Sequence, residues 1–227
     1  MDDDRANLTA EVAIVGFGPV GKLLAIQLGQ RGHDVVVVDR QLSAYPLPRA
    51  VTHCSDFARI LQSVGLAPDE IPDITQPYDD LYVWRNAARE TLLAVDWSGQ
   101  GESGWHNTYF FHQPSLERRL DEVIGGLESV RVLRGWDAVG VSQSASNAVL
   151  SLVSTQAAGK ARVSARWVVG ADGGNSSVRR WAGIDWHDEG YFYDWLVYGA
   201  ARADGALDLV AGFCAGLRSP AAAVPTS

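Results

Sequence analysis

Cysteine is scarce: 2 in 227 residues, Cys54 and Cys214, far apart in the chain. That fits two free thiols in a reducing compartment better than a disulfide framework. A surplus of positive charge is also missing. With 19 basic against 27 acidic residues the formal net charge is -8, which argues against a general attraction to nucleic acid or to an anionic membrane. No apolar run approaches the length of a membrane span, and the opening Met1-Asp2-Asp3-Asp4-Arg5 is acidic with no apolar targeting core. The expectation is a cytoplasmic protein with small-molecule ligands. Internal repeats and low-complexity linkers are lacking too.

Side chains grouped for catalysis are equally sparse. His33, His53, His106, His112 and His187 stand at no recognised metal-ligand spacing with a cysteine or carboxylate, so no metal site is expected. Cys54 follows His53, but adjacent side chains diverge and no third orienting group is evident, so Cys54 reads as a buried inert thiol. Gly101-Glu102-Ser103-Gly104 is not a nucleophile elbow. Trp181, Trp186 and Trp195 read as core or aromatic-pocket packing in so acidic a chain. No side chain is named as a catalytic acid, base or nucleophile.

What the chain does have is 47% hydrophobic content, enough to bury the core of one large or two small domains, and a concentrated signal from Glu11 to Arg40. Val12-Ala13-Ile14-Val15 is a short β-branched run suited to a buried parallel strand. Gly16-Phe17-Gly18-Pro19-Val20-Gly21 follows. Its glycines suit a tight turn, close backbone approach to a pyrophosphate and close packing of a helix on the strand. Leu23, Leu24, Ile26 and Leu28 continue as a helix ended by Gly29 and Gly32, and its N-terminus would direct unpaired N–H groups at a phosphate. Val35 to Val38 is a second buried strand. Asp39 closes it where a carboxylate would accept hydrogen bonds from an adenosine ribose, and it disfavours a phosphorylated ribose. Strand, turn, helix, strand and acid in this order predict an adenine dinucleotide site, with NAD and FAD both open.

Downstream, Pro46 and Pro48 mark a loop that reaches Arg49, and Phe57, Ile60, Leu61 and Val64 predict a helix from about Cys54 to Val64, stopped by Gly65. Spacing alone favours Arg49 as a surface arginine. Pro68, Pro72 and Pro77 mark a change of subdomain. Leu81 to Trp84 and Thr91 to Val95 read as a hairpin, Tyr109 to Phe111 as a short strand, and Leu116, Leu120, Val123, Ile124 and Leu127 as the apolar face of a helix begun at Pro114. Val130 to Leu133, Ala138 to Val141 and Ala148 to Val153 are expected as three antiparallel strands, with Ala161 to Val169 as another. At the carboxyl edge of that last strand stands Asp172-Gly173-Gly174-Asn175-Ser176-Ser177, where an open α/β sheet places its ligands, so this corner should share an edge with Gly16. Val178, Arg179 and Arg180 begin a short helix.

Four signatures in this order resemble the class A flavoprotein monooxygenases, FAD-dependent aromatic hydroxylases, and most of all their 3-(3-hydroxyphenyl)propionate hydroxylase group. They are the glycine turn with Pro19-Val20-Gly21; Pro48-Arg49-Ala50 before a helix; Phe111-His112-Gln113-Pro114 with Leu116-Glu117; and Val169-Gly170-Ala171-Asp172-Gly173 with Ser177, Val178 and Arg179. The resemblance decides for FAD and implies NADH or NADPH as co-substrate, O2, and a phenolic or aromatic-acid substrate.

Position by position it implies that Gly16, Gly18 and Gly21 hold the pyrophosphate, that Asp39 meets the adenosine ribose, that Pro19, Val20 and Arg40 belong to the same cofactor-binding set, and that Arg49 and Gln113 touch the phosphate and ribityl side. Gln113 also suits a helix-capping amide. Asp172, Gly173 and Arg179 would serve the FAD and the visiting nicotinamide.

The expected architecture is α/β, a Rossmann-like FAD-binding domain with a three-strand antiparallel crossover, formed by residues 9–78 and 109–189. Residues 79–108 and 190–227 would begin a mixed-sheet substrate domain. The family's third motif, Gly-Asp with small residues and His, does not occur, so the sequence reads as truncated. Alternatives are a catalytically inactive FAD-binding fragment and an NAD-linked dehydrogenase.

Overall fold

The computed structural model describes residues 7–46 and 50–190, and the backbone of Trp195–Tyr198 and Gly212–Ala215. In chain order come β1 (Asn7–Val15), α1 (Pro19–Gly29), β2 (Val35–Asp39), β3 (Thr52–Cys54), α2 (Ser55–Ser63), β4 (Thr75–Pro77), β5 (Leu81–Arg85), β6 (Thr91–Asp96) and β7 (Thr108–Phe111). Then follow α3 (Gln113–Gly125), β8 (Val130–Arg134), β9 (Trp136–Gln143), β10 (Ala148–Ser154), β11 (Lys160–Gly170), α4 (Ser177–Trp181), β12 (Trp195–Tyr198) and β13 (Gly212–Ala215). The chain divides into two compact units: Met1–Pro46 with Pro114–His187, and Leu47–Gln113 with Asp188–Ser227.

The first unit is built on a sheet of order β8-β2-β1-β11-β10-β9. β8, β2, β1 and β11 run parallel, and β11, β10 and β9 form an antiparallel meander. All four valines of β2 are fully buried, as a continuous β-branched run demands of a strand covered on both faces. β1 is exposed or half-buried up to Glu11 and buried from Val12 onward. The change coincides with the register: Val12 is where β2 joins, opposite Val35.

One face buries Ala13, Val15, Val36 and Val38 in a cluster with Leu150, Leu152, Ala161, Val163 and Ala165 of the meander. Strand alternation turns Ile14, Val35 and Val37 to the other face, where α1 packs with buried Leu23, Ala25 and Ile26. The meander thus covers the face that a second layer must cover, which is the antiparallel crossover expected from the sequence. The strand membership differs. Val130–Leu133 lies in β8, parallel to β2, and the third antiparallel strand is the first half of β11. An apolar run specifies a strand and not its partner. Here Gly135, at φ 74°, separates β8 from β9 by a single residue, so the two look alike in sequence.

In the second unit β7 pairs antiparallel with β3 and with β4, and β5 with β6 as the expected hairpin. The α2 helix ends at Ser63, and Gly65 follows at φ 79° with the Leu66 N–H donating to Leu61 O, a left-handed helix stop. His53, Phe57, Tyr109 and Phe111 form its aromatic core, His53 stacked on Tyr109 with centroids 4.9 Å apart. Burial is the main influence lowering the His53 pKa. The alternation of β3 that buries His53 turns its neighbour outward, so Cys54 is an exposed thiol rather than a buried one. β12 and β13 pair antiparallel.

Candidate functional site

β1 lies between β2 and β11, both parallel to it, so the carboxyl ends of the three strands share one edge, where open α/β sheets bind ligands. Gly16 sits there at φ 106°, in the left-handed half of backbone space, and its N–H donates to Val38 O at 2.8 Å. A Cβ at Gly16 would lie 2.3 Å from the Ala171 carbonyl oxygen, and one at Gly21 would lie 2.0 Å from Gly16 O. Ala171 N–H closes the junction on Val15 O at 2.7 Å. The glycine turn and the Asp172 corner therefore share one edge, as the sequence predicts.

Gly18 is different from its two neighbours in the motif. Its φ is -81°, and among the described residues an added Cβ would meet nothing within 4 Å. Packing among the described residues explains Gly16 and Gly21 and gives no reason for glycine at Gly18, where close backbone approach of a ligand is the other use of a motif glycine. Gly18 is also the N-cap of α1, which has no side-chain cap and no acidic residue in its first turn. Pro19 has no N–H to leave unpaired, and helix geometry gives the N–H groups of Val20 and Gly21 no intrahelical acceptor. An uncapped helix start beside open space is a site for an anion, so the residues fit a dinucleotide pyrophosphate.

Two carboxylates flank this turn. Asp39 accepts the Phe17 N–H on Oδ2 and the Gln41 N–H on Oδ1, each at 2.7 Å. Each oxygen retains acceptor capacity for a ribose hydroxyl. Arg40 beside it is exposed, and its carbonyl accepts from Thr155 Oγ1. Asp172 accepts the Ser176 hydroxyl on Oδ1 at 2.5 Å and the N–H groups of Ser177 and Val178 on Oδ2 at 2.6 and 3.2 Å. Burial pushes its pKa up, but the hydrogen bonds from Ser176, Val178 and Ser177 outweigh burial and hold the carboxyl below its ordinary value. Gly173, at φ 84°, makes the turn that brings these donors round.

Arg179 donates to Ile184 O at 2.9 Å and lies 5.2 Å from the Trp186 ring centroid. Trp186 is 63% exposed, a surface platform for that guanidinium and not a core residue. Trp181 packs against the meander core, and the Trp195 side chain lies outside the described residues.

Gln113, in the second unit, is buried and accepts the Ala50 N–H on Oε1 at 3.0 Å, so its amide ties the start of α3 to the chain just past the proline loop. Arg49 lies outside the described residues. No group of three His, Cys, Asp or Glu residues placed to hold a metal occurs among the described residues.

Sequence reasoning missed a buried charge cluster behind the turn. Lys22 is fully buried, with its ammonium 3.3 Å from Glu117 Oε2, 2.9 Å from Asp121 Oδ1 and 3.1 Å from the Glu117 carbonyl. Arg134 donates to Asp121 Oδ2 at 3.0 Å. The available signals were a lone lysine in the otherwise apolar start of α1, and two acids four apart beside the buried Leu116 and Leu120 of α3.

A family model described as FAD binding domain matches residues 9–214. The probable NADH-specific resorcinol 4-hydroxylase of Rhodococcus jostii (strain RHA1) is 40% identical over 187 residues, covering 82% of this chain and 35% of the relative. The 3-(3-hydroxy-phenyl)propionate/3-hydroxycinnamic acid hydroxylase of Paraburkholderia xenovorans (strain LB400) is 32% identical over 192 residues, 84% of this chain and 30% of the relative. Among solved structures, p-nitrophenol 4-monooxygenase PnpA from Pseudomonas putida DLL-E4 superimposes with a TM-score of 0.69 at 25% identity, over 86% of this chain and 46% of that one. The chain spans about a third of the length of the curated relatives it matches.

Proposed function

Since the chain belongs to the FAD-binding-domain family, we propose that it forms the FAD-holding part of a flavin-dependent monooxygenase that hydroxylates a phenolic ring with NADH and O2. The observation that carries this reading is Gly18, a motif glycine at an uncapped helix start where, among the described residues, an added Cβ would meet nothing within 4 Å. Gly16 and Gly21 set the turn, and the amides after Gly18 bind the pyrophosphate. Asp39 and Arg40 meet the adenosine ribose. Asp172, Gly173 and Arg179 form the opposite wall, and Arg49 and Gln113 serve the ribityl side. FAD, when bound, supplies the redox chemistry: it takes a hydride from the nicotinamide and activates oxygen. The chain's own residues would bind and orient the cofactor and exclude water, and none of them is named as an acid or base.

Residues 9–78 and 109–189 constitute the FAD-binding domain in this reading, and 79–108 with 190–227 contribute to a substrate domain. The names of the relatives support resorcinol-like or hydroxyphenylpropionate-like substrates and NADH over NADPH. Among the described residues no helix is long and apolar enough to cross a membrane, and the scarce cysteines fit a reducing, cytoplasmic setting.

The test is to titrate the purified chain with FAD and then follow NADH oxidation with and without resorcinol under air. Quenched flavin fluorescence with phenol-dependent NADH consumption and a hydroxylated product supports the whole reading. FAD binding without turnover restricts the chain to the cofactor-holding part. NADH oxidation without flavin contradicts the reading and favours a nicotinamide-linked dehydrogenase.

A further inference from the structure

Lys22 is the first residue whose N–H closes a helical bond after the glycine turn, on Gly18 O at 2.9 Å. Its side chain runs into the protein and is buried completely. Burying an ammonium is costly, and a paired one is often no more stabilising than a well-packed apolar side chain, so stability alone is a weak reason for a lysine here. What its surroundings have in common is the turn. The Lys22 ammonium lies 5.0 Å from the centroid of Phe17, the residue between Gly16 and Gly18, and the Arg134 guanidinium lies 4.7 Å from the same ring. Asp121 on α3 meets both cations, accepting a hydrogen bond from Arg134 through Oδ2 and standing 2.9 Å from Lys22 through Oδ1, the latter an ion contact outside hydrogen-bond geometry. Arg134 in turn is the β8 partner of Asp39, whose carboxylate holds the Phe17 N–H.

These contacts close a ring around one residue. Phe17 is fixed through its backbone by Asp39 and through its side chain by Lys22 and Arg134, and both cations are anchored on α3. The two cations and the two acids, Glu117 and Asp121, cancel, so the cluster adds no net charge to draw in a phosphate. Its contribution is geometric.

We infer that Lys22 is a positioning residue: anchored by Glu117 and Asp121, it holds Phe17 and the first turn of α1 so that the amides after Gly18 point into the open space in front of them. For its effect on FAD affinity, the inference rests on the reading given above for this turn; for the order of the turn, it stands independently.

The experiment uses Lys22→Met combined with Glu117→Met, which removes one charge of each sign and leaves the Asp121–Arg134 pair in place, together with Phe17→Leu, which removes the ring without touching a charge. Amide hydrogen exchange on the protein without FAD reads the turn directly. In both variants the hydrogen-bonded amides of Gly16, Phe17 and Lys22 should exchange about tenfold faster, while those of Leu150 and Leu152 in β10 keep their wild-type rates. FAD titrations should show affinity about tenfold weaker in both variants. Exchange that is unchanged, or that rises equally in β10, overturns the inference, as does a variant too unstable to fold in either case, since that marks a plain stability role. If the wild-type chain fails to bind FAD, the functional reading fails while the exchange pattern still decides the positioning role. If wild type and variants bind FAD equally well, the inference alone fails.

Discussion

Asp39 and Asp172 stand at equivalent places, each at the carboxyl end of a strand that flanks β1, yet they spend their oxygens differently. Asp39 reaches across to a neighbouring segment, holding the Phe17 amide 22 residues away, as well as its own Gln41 turn. Asp172 turns inward and satisfies donors four to six residues ahead, the Ser176 hydroxyl and the first amides of α4. One acid fastens the glycine turn to the sheet, and the other shapes the turn into α4. Gly16 joins them, bonded to Val38 at the end of β2 and packed against Ala171 beside Asp172. Two corners of one sheet edge thus depend on one residue without a side chain.

Gly16→Ala breaks both corners at once. The new Cβ would fall 2.3 Å from a backbone carbonyl at a φ of 106°, so the loss of stability should be about 3 kcal/mol or more in urea unfolding. Asp172→Ala breaks one corner only. It orphans the donors at the start of α4 and should cost about 2 kcal/mol, read in the same assay. This second difference should depend on pH. Because the folded carboxyl titrates below its ordinary value, its contribution is complete above the ordinary aspartate range and is lost as pH falls through the lowered folded value. The gap between wild type and Asp172→Ala should therefore close in acid, and a gap that widened there would reverse the assigned sign. Asp39→Asn keeps one acceptor for two amides and should have the smallest effect, about 1 kcal/mol, with faster exchange at Phe17 than at Ser177. Equal exchange at the two amides would erase the distinction between the corners.

The βαβ unit was legible because its information is local: β-branched runs, a glycine turn and helical spacing all lie within the stretch they describe. The shared edge between Gly16 and Asp172 was legible as well, since parallel strands put their carboxyl ends together. Pairing was less so. β8 resembles β9 in composition, and only long-range register sends one to β2 and the other to β10. β3 and β4 are three residues each, too short to show a period. Cys54 was misread because the strand that exposes it was not recognised. The Lys22 cluster was hidden because its partners Glu117 and Asp121 sit on another helix, 95 residues on for the nearer one.

The central claim is that the space beside Gly18 belongs to the ligand, and the most direct test is an FAD titration of Gly18→Ala beside wild type, followed by flavin fluorescence, with unfolding midpoints measured on both. A midpoint lowered only slightly, as expected for alanine at an N-cap, with affinity lowered about tenfold is the predicted result, because among the described residues the added methyl meets nothing within 4 Å and in the proposed reading it takes room the pyrophosphate needs. Equal affinity for FAD in the two proteins would contradict the account.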